Sequence, residues 1–220
     1  MNRRIFKCFF FIVVLYCTAP AFGLQPHASV DEILAGLEKR YAGPGFSVLF
    51  NQLTTLKAVN ITDSATGRLF IKQPGKMRWE YEEPDRQIII SDGIRLWIYK
   101  YEDNQVMVGK APSFFGDGKG AGFLSDIRQV RQNFTVIPGE VETDQAVSLK
   151  LFPRNPQPEL ADIDLRISKA NFDVLLVITH NAYGDETRIE LKNYRRETDL
   201  KEELFRFEIP QGADVIQMDE

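Results

Sequence analysis

From residue 46 almost to its end the chain alternates apolar and polar positions with a period of two, a pattern that predicts β-strands. Phe46, Val48 and Phe50 alternate with Ser47, Leu49 and Asn51, and the runs GRLFIK (67–72) and KMRWEYE (76–82) follow, parted by Pro74-Gly75. In the second run Met77, Trp79 and Tyr81 face one way, and Lys76, Arg78, Glu80 and Glu82 the other, so one face is dry and the other wet. Residues 87–91 and 94–99 are joined through Asp92-Gly93, a dipeptide that marks a tight hairpin and hence antiparallel pairing. Further strands are predicted at 105–108, 134–137, 147–152, 163–168, 174–180, 187–191 and 205–209, on the order of ten in all.

Two segments break this period. Residues 29–41 (SVDEILAGLEKRY) place Val30, Ile33, Leu34, Leu37 and Tyr41 at helical spacing, with Ser29 and Glu32 as a capping box and Gly43 as the stop. This predicts a helix lying on the core; its mixed charges do not suit a membrane-surface helix. Residues 112–122 (PSFFGDGKGAG) form a glycine-rich loop, and Leu124, Ile127 and Val130 predict a short second helix over 123–133.

The N-terminal segment belongs to a different class. Arg3, Arg4 and Lys7 precede an unbroken apolar run from Cys8 to Cys17, too short to span a bilayer, and small residues follow at signal-peptidase spacing. A secretory signal peptide over 1–23 is predicted, cleaved after Ala21 or Gly23, followed by a single domain over 24–220. Its removal leaves 24 Lys and Arg against 31 Asp and Glu, a net charge of −7, which disfavours nucleic acid as a partner. Cys8 and Cys17, the only cysteines, leave with the signal peptide, excluding disulfides and thiolate chemistry. An anchored form would need Cys17 lipidated, but Tyr16 stands where a lipobox wants a small residue.

Catalytic constellations are poorly represented. Of two histidines, His27 lies near the new N-terminus, and His180 sits at a strand end, where a structural or solvated role is expected. There is no Gly-x-Ser-x-Gly elbow, and the glycines at 116, 118, 120 and 122 match neither a dinucleotide fingerprint nor a phosphate loop. The acidic residues near Pro84, at Asp162 and Asp164, and at Glu202 and Glu203 read as solvated faces. No enzyme activity, metal or cofactor is expected.

The placement of large apolar side chains is more informative. Leu69, Ile71, Met77, Trp79, Tyr81, residues 88–90, 96–99 and 174–178 supply more bulk than one half-buried face consumes. Either a helix plugs a filled β core, or a curved sheet presents an apolar concavity to a ligand beneath a movable cover.

The stretches GRLFIKQPGKMRW (67–79), PDRQIIISDGIRLWIY (84–99) and FRFEIPQG (205–212) resemble the LolA family of outer-membrane lipoprotein carrier proteins. The resemblance implies an unclosed antiparallel β-barrel of about ten or eleven strands under a helical lid. It implies a periplasmic carrier that takes acylated lipoproteins from an inner-membrane ABC exporter to an outer-membrane LolB-like acceptor, and one-to-one carriage makes a monomer the simpler expectation. The acyl chains would then meet Leu69, Ile71, Met77, Trp79, Tyr81, Ile89, Leu96 and Ile98, and Ile33, Leu34, Leu37 and Gln73 would serve closure. Trp79→Glu is expected to abolish acyl binding while leaving the fold. Better-known members carry arginine where this chain has Gln73, so closure would rest on a neutral amide or lean on Arg68 or Arg78. The same architecture also suits an envelope sensor or another lipid-binding protein without transport.

Overall fold

The computed structural model describes residues 28–111 and 119–218, with side chains in the second stretch from residue 122. The predicted signal peptide and loop residues 112–118 lie outside the described residues. No described helix is long and apolar enough to cross a membrane.

Helix α1 (Val30–Tyr41) begins at the predicted capping box: the Glu32 amide donates to Ser29 Oγ at 3.2 Å and the Ser29 amide donates to Glu32 Oε2 at 2.8 Å. Asp31 and Glu32 in its first turn and Lys39 and Arg40 in its last complement the helix dipole. Strands β1 (Gly45–Leu56), β2 (Ile61–Lys72), β3 (Lys76–Glu83), β4 (Gln87–Asp92), β5 (Arg95–Lys100) and β6 (Gln105–Lys110) form a meander of antiparallel neighbours. A 3-10 turn (Lys119–Ser125) and a short helix α2 (Gln129–Asn133) then interrupt the sheet. Strands β7 (Phe134–Glu142), β8 (Ala146–Pro153), β9 (Asp162–Ser168), β10 (Val174–His180) and β11 (Glu186–Arg196) form a second meander, which returns to pair β11 with β1. With β12 (Asp214–Gln217) there are twelve strands in one unclosed sheet, ordered β12-β6-β5-β4-β3-β2-β1-β11-β10-β9-β8-β7.

The predicted mainly β, unclosed architecture is therefore present, with three local differences. The expected second helix is split at Asp126, whose amide bonds back to Phe123 and whose carboxylate receives Arg128 Nε at 2.8 Å. Residues 206–209, expected as part of a strand, pair with no strand. The last strand is instead β12, beyond the Pro210–Gly212 turn, and it runs parallel to β6, the one parallel pair in an otherwise antiparallel sheet. Four residues carry too little periodicity to be read as a strand from sequence.

The unpaired C-terminal segment has its own role. It covers the convex face of β3–β6, where Ile88, Ile90 and Val106 are buried together with Phe205, and Phe207 meets Trp97 and Tyr99 at ring distances of 6.3 and 5.7 Å. Residues 88–90 are thus apolar at every position because both faces of β4 are covered. Polar anchors hold the segment at its start: Lys72 Nζ donates to the Leu200 carbonyl at 2.7 Å, Arg78 Nη1 to that of Leu204 at 3.2 Å, and Glu202 pairs with both Lys72 (2.7 Å) and Lys76.

Hydrogen bonds from Lys72 and then Lys76 lower the Glu202 pKa from 4.5 to about 2. A depressed carboxyl contributes stability above its unfolded value that fades as pH falls through the folded one. Attachment of the segment is expected to weaken between pH 4.5 and about 2. Fluorescence of Trp97 against Phe207 checks this: the acid transition in that window is expected in the native chain and absent from Glu202→Gln, which has no carboxyl to titrate.

Candidate functional site

The concave face of the β1–β6 half is built in rows that run across the strands. Register places Phe46, Ile71, Met77, Ser91 and Leu96 in one row, and Val48, Leu69, Trp79, Ile89, Ile98 and Met107 in the next. A third row runs through Leu191, Phe50, Gly67 and Tyr81. Gly67 is required by close approach: a Cβ there would lie 2.0 Å from the Glu80 carbonyl and 2.8 Å from the Phe50 ring. Phe50 settles over this gap and meets Trp79 and Tyr81 edge-on, each at 4.9 Å. Burial pushes the Tyr81 phenol up to about 12, so it stays protonated and donates to Gln52 Oε1 at 3.0 Å.

All eight residues expected to meet acyl chains, Leu69, Ile71, Met77, Trp79, Tyr81, Ile89, Leu96 and Ile98, lie on this one face and share one apolar cluster. Ile33, Leu34 and Leu37 of α1, expected to serve closure, join the same cluster, as do Phe123, Leu124, Ile127 and Val130 from the crossing segment. Sequence reasoning left out of the site Phe46, Val48 and Phe50 of β1, and Leu149, Leu165, Val177 and Ile189 across β8–β11. The period-two signal that exposed Met77, Trp79 and Tyr81 was equally present at 46–50.

The face is filled rather than hollow. Trp79 is 2% exposed and Leu37, Leu69, Ile71, Met77 and Leu96 are 0% exposed, so α1 and the sheet together make the core. The expectation that Trp79→Glu would spare the fold does not suit this packing: a carboxylate there would be buried without a partner.

Several contacts fasten α1. The β9–β10 turn wraps it: the ring of Phe172, a residue in the left-handed region (φ 59), rests on the helix where Gly36 leaves no side chain. In the same turn Asp173 Oδ1 accepts from Arg40 Nε at 2.6 Å. Next to it, the Val174 amide donates to Tyr41 Oη (3.0 Å), Tyr41 Oη donates to Tyr194 Oη (3.1 Å), and Tyr194 Oη donates to the Val174 carbonyl (2.8 Å). Burial pushes Tyr41 up to about 12 and Tyr194 well above the tyrosine range, keeping both protonated as donors. Nearer its start, α1 is held from the surface by Arg131, whose guanidinium reaches Asp31 and Glu38, each at 2.6 Å.

The crossing segment is fastened more lightly. Gln73 Nε2 donates to the Leu124 carbonyl at 3.4 Å, and the Gly75 amide donates to that of Ser125 at 3.3 Å. Gln73 therefore touches the cover without charge. Neither Arg68 nor Arg78 substitutes for it, because both point to the convex face: Arg68 lies over Phe70, and Arg78 holds Glu80 and Leu204. A cleft of about 550 Å³ lies along the seam between α1 and the crossing segment, lined by Glu38, Tyr41, Ala42, Gln73, Pro74, Asp126, Ile127 and Arg128. Its charged walls suit solvent, whereas the apolar surface lies beneath the cover.

On the convex face the structure brings His180 and Lys150 to the acidic pair Asp162 and Asp164, which the sequence placed on one polar strand face. His180 Nδ1 lies 2.8 Å from Asp162 and 3.9 Å from Asp164. Lys150 Nζ stands 3.0 and 3.4 Å from the same carboxylates, so a cation of the chain itself already lies between the pair.

Comparison with known proteins gives consistent findings. The family model described as outer membrane lipoprotein carrier protein LolA matches residues 44–208. The outer-membrane lipoprotein carrier protein of Chromobacterium violaceum is 31% identical over 207 residues, covering 94% of this chain and 97% of that protein. The protein of the same name in Nitrosospira multiformis is 29% identical over 171 residues, 76% of this chain and 79% of its own. A crystal structure of a LolA superfamily protein from Nitrosomonas europaea superposes with a TM-score of 0.50 at 13% identity, covering 82% of this chain and 99% of that one, a likeness of fold.

Proposed function

Because the chain belongs to the family of outer-membrane lipoprotein carrier proteins, we propose that it ferries acylated lipoproteins through the periplasm, from an inner-membrane ABC exporter to a LolB-like acceptor at the outer membrane. The observation that carries this reading is an apolar sheet face covered by a separate amphipathic helix rather than by more sheet. The acyl chains replace α1 and the crossing segment on Leu69, Ile71, Met77, Trp79, Tyr81, Ile89, Leu96 and Ile98. The magnitudes suit exchange. Burying each of Ile33, Leu34, Leu37 and Tyr41 is worth about 1.5–3 kcal/mol, so the helix contributes roughly 6–12 kcal/mol. One acyl chain gains about 0.8 kcal/mol per methylene, roughly 10 kcal/mol for about a dozen. Cargo with more than one chain displaces the lid, and the returning lid recovers much of that energy at release. No bond is made or broken, so the work needs no nucleophile, metal or cofactor, and one molecule of carrier suffices for one of cargo.

Native mass spectrometry of the exported protein, with and without a co-expressed triacylated lipoprotein, tests the proposal. A one-to-one complex that disappears when the cargo is left unacylated is the expected result. Bare protein under every condition would overturn it in favour of a permanently filled core.

A further inference from the structure

The hairpin of β1 and β2 reaches beyond its neighbours in the sheet. β1 pairs with β11 as far as Thr55, β2 pairs with β3 only from Thr66, and the last rung of the hairpin, Leu56 with Ile61, stands past both. Residues 57–60 (Lys-Ala-Val-Asn) close the hairpin, with Asn60 in the left-handed conformation (φ 53) and its amide donating to the Lys57 carbonyl at 3.3 Å. The β10–β11 turn is fastened alongside, where the Lys57 amide donates to Asp185 Oδ1 at 2.8 Å. Leu56, Val59 and Ile61 on the hairpin and Tyr183 on the neighbouring turn are all exposed, Val59 by 60% and Tyr183 by 71%.

Folding does not account for these four side chains. Turns favour glycine, proline, asparagine, aspartate and serine, each for a backbone conformation or a hydrogen bond that valine does not supply. Val59 nevertheless occupies the turn and leaves most of its surface in water. Exposed apolar residues scattered singly are ordinary, but here four share one projecting tip. The tip is also poor in charge. From Leu53 to Thr62 the only charged residue is Lys57, whose stem is long enough to keep its amine in water while the apolar side chains leave it. The hydroxyls behind the tip pair with one another, Thr55 with Thr62 at 3.2 Å and Thr54 with Thr187 at 3.4 Å, so they lose little hydrogen bonding when water is withdrawn.

We propose that this tip inserts into the interfacial layer of a lipid bilayer. Its projecting shape would need a matching pocket on a protein, whereas the boundary between headgroups and acyl chains conforms to it. Leu56, Val59 and Ile61 enter that boundary, and the Tyr183 hydroxyl and the Lys57 amine stay among the headgroups. Apolar burial has to supply the attachment, because the chain has a net charge of −4 and the exposed Glu82, Glu83 and Asp85 gather at the β3–β4 turn. That turn meets β2 at Thr66, roughly 16 Å along the strand from Ile61, so these acids stand back from the surface by more than a screening length at physiological salt. The attachment does not rest on what the concave face carries.

Flotation of the exported protein with phosphatidylcholine vesicles on a density gradient tests this. The expected result is partitioning to the vesicles that is insensitive to salt and falls by about tenfold or more in Val59→Asp/Ile61→Asp. Ile94→Asp/Ile137→Asp, which makes the same change at exposed apolar residues elsewhere on the surface, is expected to float as the native chain does. A polarity-sensitive fluorophore on Val59→Cys is expected to shift to the blue when vesicles are added, and the same dye on Ile94→Cys to stay unchanged. A native chain that does not float would overturn the proposal. So would equal loss in the two double variants, undiminished flotation of Val59→Asp/Ile61→Asp, or flotation that requires phosphatidylglycerol and is lost as salt rises. A dimer that Val59→Asp/Ile61→Asp disperses would overturn it as well, giving the tip to a second copy of the chain. Unchanged circular dichroism shows that the variants fold. No acylated protein is present in the assay, so failure here leaves the carrier proposal to its own test.

Discussion

Trp79→Ala is expected to lower stability by about 3–5 kcal/mol, the usual cost of deleting a buried large aromatic. For a chain of this size that is a fall in melting temperature of roughly 10 °C. Affinity for an acylated lipoprotein is expected to change by less than about tenfold. This split follows from the filled state of the concave face. Trp79 packs against Phe50 and under the cover in the free carrier, and against acyl chains in the proposed loaded one, so its removal weakens both states and largely cancels in their difference. Thermal melting and cargo titration of the same variant check the prediction. An unmoved melting temperature with collapsed affinity would instead mean that Trp79 lines a preformed, empty concavity. Trp79→Glu adds an unpaired buried carboxylate to the loss, so it is expected to open or unfold the protein rather than report on binding.

The face itself was legible in the sequence. Alternation at 67–72 and 76–82 sorts the side chains by parity, and the structure keeps that sorting through six strands. The same alternation opposes Arg68 to Leu69 and Arg78 to Trp79, so their position on the convex face followed from the rule that placed the apolar residues. What the sequence does not carry is which elements meet across long separations. Tyr41 and Tyr194 are 153 positions apart, and their contact needs a bulge that no local pattern announces. The seating of Phe172 on Gly36 is equally silent, since a glycine in a helix and an aromatic in a turn each look unfavourable until they are seen together. The apolar tail around Phe205 and Phe207 read as a strand because an unpaired segment lying on a sheet has the composition of one that pairs within it.

Gly36→Ala is expected to loosen the lid, and two opposed effects decide by how much. Alanine favours the helix by about 1 kcal/mol over glycine. Against this, its Cβ would stand 2.2–2.5 Å from three carbons of the Phe172 ring, and overpacking of that kind costs about 1–3 kcal/mol or more. The ring has little freedom to yield, because its backbone is already in the left-handed region and Asp173 beside it is tied to Arg40. The clash is therefore expected to exceed the helix gain and to be relieved by lifting α1 from the sheet. Binding then no longer has to displace a fully seated lid, so apparent affinity for acylated cargo is expected to rise, by roughly fivefold to tenfold for about 1–1.4 kcal/mol of net strain. Uptake of an apolar fluorescent dye by the unloaded carrier is expected to rise with it. Phe172→Ala removes the obstacle, so Gly36→Ala should no longer loosen the lid in that background and its helix gain should instead be recovered. A double-mutant cycle read by dye uptake and cargo titration isolates this coupling. Additive effects of the two substitutions, or an unchanged lid in Gly36→Ala alone, would show that the β9–β10 turn does not hold the helix down.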